Sequence, residues 1–398
     1  MSPVSRNRKK KAKKPGKRVF PKGALEALVP PRPNWFSAAT ATALAGSDAL
    51  VAARGPLELE EATSLLLGER LVERTRVEGA TGLRFTAWAR EVADRAAEQV
   101  LAHSEDLSTG AWKGPWRLLH GMLSIGAPEL ASAAESAIER CAGELGAAGG
   151  VPSWLAVLGG VAPTGELWSL RDAHGTRGAV IAGYAYPDGV DRSVFLFDYD
   201  VTDFAVELPA PGAFPDVAAA EAAWRTSTGE QTVPLVEGVS PEVLAIVLAG
   251  GTVLLDSVIG VETDQALRNW YRAQRRAQDL IALVRDRGVH LPAPLPVEQQ
   301  AARMAEEFTT WHHTRHGATP DDETVETLAL DWVEKTAEGT HALVSPRRVE
   351  CVRESIQADR DAGVPTMLAE LSLLPEWAGW LAERAGLAEE LVREVRIA

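Results

Sequence analysis

The sequence predicts a mainly helical α+β protein in which one small antiparallel sheet lies between two helical regions. Apolar residues recur every three to four positions before about residue 150 and again after about residue 212, which is the helical period. Between those limits the chain contains short β-branched and aromatic runs separated by turn residues. At 398 residues and 46% hydrophobic, the chain is long enough for more than one core, so helices on both sides of the sheet are expected.

Residues 1–23, which we call the basic arm, combine a high positive charge with few apolar residues. No acidic residue occurs before Glu26, although the whole chain has a net charge of −14. Setting the ten cations of the arm aside leaves 31 of the 41 Lys and Arg against 55 Asp and Glu, about −24 for the remainder. Such a composition predicts a disordered segment. The ten cations are Arg6, Arg8, Lys9, Lys10, Lys11, Lys13, Lys14, Lys17, Arg18 and Lys22.

Residues 24–150 are predicted to form the first helical region. One apolar stripe at helical spacing consists of Phe85, Trp88, Val92, Ala96 and Val100. The later stretch "APELASAAESAIERCAGELGAAGG" has the same period and ends in glycines, which suit a helix C-terminus. This region is therefore expected to be wholly helical.

Residues 151–211 are predicted to form a four-stranded antiparallel meander. The strands are expected at "GELWSLRD", "TRGAVIAGYAYPDG", "DRSVFLFDYD" and "DFAVELPA". Gly175 follows His174 between the first two, and Pro187, Asp188 and Gly189 separate the next pair, which are residues typical of turns. Short connections of this kind favour consecutive hairpins over crossover connections.

Residues 212–398 are predicted to be helical again and to pack with the sheet. The longest helix of this region is expected at "TDQALRNWYRAQRRAQDLIALVRDRG", where the apolar and aromatic side chains would face the core. Its arginines are expected to face outward, either as a solvated surface paired with nearby aspartates or as a second contact for a polyanion. These arginines are Arg268, Arg272, Arg275 and Arg276. Further helices are expected to start at "TPDDETVE" and "SPRRVE", each from a capping residue followed by proline.

Several kinds of site and location are excluded or disfavoured by the sequence. Neither Lys113, preceded by Trp112, nor Lys335, preceded by Glu334, can complete a Walker A phosphate loop. No GxGxxG follows a strand and no GxSxG elbow occurs. The longest uncharged apolar run, residues 243–255, is shorter than a membrane span, and no signal-peptide core follows the basic arm, so a cytoplasmic location is expected.

Two candidate metal sites remain. Asp198 and Asp200 share one face of a strand, and Asp203 could join them from the turn, where carboxylates could hold a divalent cation such as Mg²⁺ or act as an acid and base pair. The alternative is that aspartates at a strand end bond the turn backbone. His312 and His316 share a helix face as in zinc proteases, but the position of the catalytic carboxylate is His313, and capping near Gly317 is the alternative.

The sheet region is also similar to a family of actinobacterial proteins of unknown function. In that family a helix and a Trp-containing strand lead to a hydrophobic strand that ends in Asp-His-Asn, followed by glycines. Trp168 and Asp198 match this pattern, whereas Tyr199 and Asp200 stand where His and Asn are expected. The resemblance covers residues 151–211 and implies no activity. The Arg- and Ala-rich, Lys-poor body favours a bacterial origin.

The sequence therefore favours a non-enzymatic cytoplasmic interaction protein. Its basic arm is expected to bind RNA, ribosomes or DNA without sequence preference, because flexible cations pair with phosphates and release counterions. The body would recognise a protein partner that the sequence does not identify. One alternative is a metal-assisted hydrolase or related enzyme built on Asp198 and Asp200. Another is association of the arm with anionic membrane surfaces.

Overall fold

A computed structural model describes most of the chain beyond the basic arm. The described residues are 33–78, 84–104, 106–145, 151–187, 189, 192–202, 206, 208–229, 232–253, 263–289, 295–361 and 367–398. These residues form many helices and one antiparallel sheet, which confirms the predicted fold class. The basic arm lies outside the described residues, so its predicted disorder stays a prediction.

Before the sheet the described chain is helical, as predicted. The predicted stripe from Phe85 to Val100 is buried, and the Phe85 ring meets Trp270 edge-on with centroids 5.6 Å apart. Short 3-10 helices at Ser47–Ala52, Leu107–Thr109 and Ser153–Gly160 lie among the longer ones. The α-helices are α1 Trp35–Gly46, α2 Pro56–Glu78, α3 Phe85–Ala102, α4 Lys113–Ile125 and α5 Pro128–Leu145.

The described sheet has five strands in the spatial order β4-β3-β2-β1-β5, and every neighbouring pair is antiparallel. Three predicted strands are confirmed. Residues 203–205 and 207 of the predicted fourth strand lie outside the described residues, and the described strand beside β3 begins later, at Gly212. Pro209 and Pro211 explain the shift, because proline has no N–H to donate to a strand ladder. The strands are β1 Ala162–Arg171, β2 Arg177–Ala185, β3 Arg192–Asp200, β4 Gly212–Phe214 and β5 Val236–Glu237.

The two faces of the sheet contribute to different cores. On one face Tyr184, Phe195 and Phe197 join the large core formed with the helices that precede the sheet. On the other face Ile181 and Leu196 pack with Trp224. The helices that follow β4 are α6 Val217–Thr228, α7 Pro241–Val253, α8 Asp264–Arg268 and α9 Trp270–Asp286. Strands β2 and β3 are thus buried on both faces of the sheet.

The long helix predicted around residues 264–286 is interrupted. Asn269 ends α8, and its side-chain amide donates a hydrogen bond to the Gln265 carbonyl, 3.3 Å away. Asparagine competes with the helix for backbone hydrogen bonds in this way, which is a physical reason for the break. Trp270, Tyr271 and Ala277 are buried as predicted.

The last five helices enclose a second core around Phe308, Trp332 and Trp377. Ser345 accepts the N–H of Arg348 at 3.3 Å and caps α12, which confirms that predicted start. The preceding helix instead starts after Asp321, whose carboxylate accepts the N–H of Thr324 at 3.0 Å. These helices are α10 Val297–His316, α11 Asp322–Glu334, α12 Pro346–Asp361, α13 Met367–Arg384 and α14 Glu389–Ile397.

None of the described helices is both long and apolar enough to cross a bilayer.

Candidate functional site

Asp198 lies on β3 with a side chain that is fully buried. Its carboxylate accepts hydrogen bonds from Trp224 Nε1 at 3.1 Å and from the Arg177 guanidinium at 3.2 Å. Burial raises the pKa of Asp198, although Arg177 and Trp224 act in the opposite direction. Both carboxylate oxygens are therefore already bonded to donors of the protein.

Asp200 lies on the same face at the end of β3 and closes the following turn. Its carboxylate accepts the backbone N–H of Thr202 at 2.9 Å and the Thr202 hydroxyl at 2.6 Å. This is the turn-bonding role typical of aspartate after a strand. Asp203 lies outside the described residues. Within the described ranges no three His, Cys, Asp or Glu side chains come together as a metal site.

Replacing Asp198 by alanine is expected to destabilise the fold far more than replacing Asp200. Asp198→Ala leaves the Trp224 N–H and the Arg177 guanidinium without their acceptor, which should cost about 3 kcal/mol of unfolding free energy. Asp200→Ala removes a turn bond and should cost about 1 kcal/mol. Urea unfolding of the two variants measures the difference.

The same two variants test the cation alternative. A calorimetric Mg²⁺ titration of the unmodified protein that shows binding, lost in both variants, would support the metal site. Equal, small stability losses in the two variants would contradict the structural role given to Asp198.

His312 and His316 lie side by side at the exposed end of α10, with ring centroids 4.5 Å apart. His312 Nδ1 is 3.0 Å from the Ala318 carbonyl, and His316 Nε2 is 3.4 Å from a Glu376 carboxylate oxygen. The helix ends at His316 with Gly317 in the left-handed region, as predicted. His312 thus contacts the backbone just beyond the end of its helix, whereas His316 contacts a carboxylate of α13.

A buried charge cluster joins α2 to α9. The Glu60 carboxylate pairs with Arg276 at 2.6 Å and with Arg272 at 3.2 Å, and all three side chains are at most 3% exposed. Arg276 also reaches Asp279 at 3.3 Å, and Ser124 donates its hydroxyl to Glu60. The prediction that Arg272 and Arg276 face outward is therefore wrong. The cause is that α9 is covered on more than one side, so part of its polar face lies inside the core.

Burial and charge act in opposite directions on Glu60. Burial alone would raise its pKa, but Arg276 and Arg272 hold the pKa at about 2, well below the ordinary 4.5. The other two arginines of this helix pair are also engaged, since Arg268 pairs with Glu69 at 2.7 Å and Arg275 with Asp279 at 3.0 Å. The suggested second contact for a polyanion thus consists of arginines that already have carboxylate partners.

A groove of about 570 Å³ runs between α10 and α11, and sequence reasoning missed it. Its floor is apolar, formed mainly by small residues of α10 and by Val325 and Leu330 of α11. Its rim carries four exposed carboxylates, which have no ion-pair partner among the described residues. The four rim residues are Glu298, Glu306, Asp322 and Glu326. The only signal in the sequence was the spacing of alanines and acids along the two helices.

Comparison of the chain with protein-family models, with curated proteins and with solved structures finds no match. The similarity of residues 151–211 to an actinobacterial family therefore stays a prediction. In the structure Trp168 and Asp198, which match that family's pattern, lie on strands β1 and β3. Both lie on the face of the sheet that packs against α6, where Asp198 bonds Trp224.

Proposed function

We propose that this protein is a non-enzymatic, cytoplasmic interaction protein whose basic arm binds RNA, ribosomes or DNA without sequence preference. The observation that carries this proposal is the segregation of charge. Ten Lys and Arg without an acidic residue occupy positions 6–22, in a chain whose net charge is −14. Cations on such an arm can each neutralise a phosphate and release a counterion.

The arginines of the body support assigning the affinity to the arm. On α8 and α9 the four candidate arginines pair with Glu60, Glu69 or Asp279. A guanidinium held by a carboxylate has to lose that partner before it can bind a phosphate, which offsets the gain. An acidic body also repels a polyanion, so contact is restricted to the arm. The body is then free to bind a protein partner.

The basic arm makes a quantitative prediction about salt. On single-stranded RNA the logarithm of the binding constant falls with the logarithm of salt by about 0.7 per phosphate contact, so ten cations allow a slope of up to about −7. Replacing Lys9, Lys10, Lys11, Lys13 and Lys14 by glutamine should halve that slope. Fluorescence anisotropy of a labelled RNA across a salt series measures it.

A matched control removes the same charge from the body. Five exposed arginines are replaced by glutamine, and the slope should stay that of the unmodified chain. These are Arg54, Arg95, Arg140, Arg192 and Arg285. An equal reduction in both variants would refute the assignment to the arm.

Vesicles of anionic lipid form a further comparison, and binding to them in preference to RNA at the same salt concentration would favour the membrane alternative.

A further inference from the structure

The groove between α10 and α11 combines an apolar floor with uncompensated negative charge. Other acidic side chains of the C-terminal helices do have cationic partners: Glu383 pairs with Arg315 at 3.0 Å, and Glu307 pairs with Arg384. The four rim carboxylates have none among the described residues, although they surround alanines, Val325 and Leu330. A segment that fills this groove should therefore offer bulky apolar side chains with cations on either side.

The basic arm contains such a segment. We infer that residues 17–22, "KRVFPK", dock in the groove between α10 and α11 of the same chain. Val19 and Phe20 lie between Lys17 and Arg18 on one side and Lys22 on the other. Burying the Phe20 ring on the alanine floor would contribute apolar contact, while the cations compensate the rim.

The spacing of charges agrees with this assignment. Glu298 and Glu306 are eight residues apart on one helix, which corresponds to about 12 Å at 1.5 Å per residue. Arg18 and Lys22 are four residues apart, which corresponds to about 13 Å in an extended segment. One extended segment can therefore place a cation beside each of these glutamates, with Val19 and Phe20 over the floor between them.

The segment that links Phe20 to the described chain has a long reach. Twelve residues lie between Phe20 and Pro33, where the described chain begins, and the thirteen steps between these two residues span at most about 45 Å. A compact chain of 398 residues has a radius of gyration of about 21 Å, so this reach is comparable to its diameter.

Docking would regulate the arm, a consequence that rests on the proposed function. Lys17, Arg18 and Lys22 cannot pair with rim carboxylates and phosphates at once, so docking and nucleic-acid binding compete. A docked chain has only the other seven cations of the arm available, so the affinity that all ten cations give is confined to the undocked fraction. If nine chains in ten are docked, neutralising the rim with E298Q, E306Q, D322N and E326Q together should raise RNA affinity by up to about tenfold.

Zero-length carbodiimide cross-linking of the full chain, without nucleic acid, tests the docking directly. This reagent joins lysine amines to carboxylates that are in contact. The expected result is that Lys17 and Lys22 link to the four rim residues well above their links to a control surface on α5. That surface offers as many exposed, unpaired carboxylates in the described part of the chain: Glu129, Glu135, Glu139 and Glu144. Equal linking to rim and control would overturn the inference.

Two further comparisons complete the test. One separates the apolar contribution to docking from the contribution of charge, and the other distinguishes docking within one chain from docking between two copies. Replacing both Val19 and Phe20 by serine keeps every cation, and it should abolish the preference for the rim. A preference that survives this change would overturn the docked segment proposed here. Mixing ¹⁴N and ¹⁵N chains distinguishes links within one chain from links between copies, and links found only between copies would also overturn it.

Adding single-stranded RNA distinguishes failure of docking from failure of the proposed function. With both correct, RNA binds and the rim links decrease. RNA binding without rim preference contradicts docking alone. Rim preference without RNA binding contradicts the proposed function alone, and docking then stands as the function of these cations.

Discussion

Replacing Glu60 by glutamine is expected to lower the free energy of unfolding by about 3 to 5 kcal/mol at pH 7. Glutamine keeps the shape of the side chain but removes its charge, which leaves Arg272 buried without its carboxylate and leaves Arg276 with Asp279 alone. Breaking a buried pair by removing one partner leaves an uncompensated charge in the core. Urea unfolding followed by tryptophan fluorescence measures the loss.

The pH dependence of this loss has a definite sign. The pKa of Glu60 is about 2 in the folded chain and 4.5 ordinarily, so its stabilising effect is complete above pH 4.5 and is lost as pH falls towards 2. The shift corresponds to about 3 kcal/mol. Because glutamine does not titrate, the stability gap between the two proteins should narrow below pH 4.5.

A neighbouring glutamate provides the control for this prediction. Glu58 lies two residues before Glu60 on the same helix, and its carboxylate pairs with Arg54 at the surface, at 3.1 Å. Glu58→Gln should change stability little, because exposed ion pairs contribute little. A gap for Glu60→Gln that stays constant from pH 7 to pH 3 would contradict the role given to this carboxylate.

Local patterns in the sequence were enough to predict much of the fold. The stripe from Phe85 to Val100 follows from helical spacing alone, and Gly317 marks a helix end because glycine takes the left-handed conformation without strain. The described strand beside β3 begins at Gly212, after Pro209 and Pro211, because proline cannot donate to a strand ladder, whereas the apolar pattern favours a strand from residue 203. Asn269 interrupts a helix that its apolar period would have continued.

Contacts between distant residues account for what sequence reasoning missed. Arg276 is buried because Glu60, 216 residues earlier, provides a carboxylate beside it, and no local pattern contains that information. The partner of Asp198 is likewise distant in the sequence, since Trp224 on a helix that follows the sheet donates a hydrogen bond to its carboxylate. The groove between α10 and α11 exists only once the two helices pack against each other.

The candidate residues differ in whether their carboxylates already have partners within the protein. The two aspartates of β3 were correctly placed on one face, but their hydrogen bonds are with Trp224, Arg177 and Thr202. The four rim carboxylates, by contrast, were not considered, yet they are exposed and unpaired among the described residues. Uncompensated charge beside apolar surface is the better indicator of a contact still to be made.

The largest change in nucleic-acid affinity is expected from removing the arm. A chain that begins at Gly23 loses all ten cations of the arm and keeps the body at about −24. Because the affinity comes from counterion release by these cations, it should fall more than 100-fold at low salt. Thermal unfolding should change little, since the described cores use residues from Trp35 onwards, and this serves as the control for correct folding.

The most direct test of the central claim is therefore a side-by-side titration of a labelled single-stranded RNA with the full chain and with the chain that begins at Gly23, between 50 and 200 mM salt. We expect the full chain to bind with an affinity that falls steeply as salt rises, and the shortened chain to bind more than 100-fold more weakly at 50 mM salt. Equal affinity and equal salt dependence for the two chains would contradict the account, because the body would then hold the binding site.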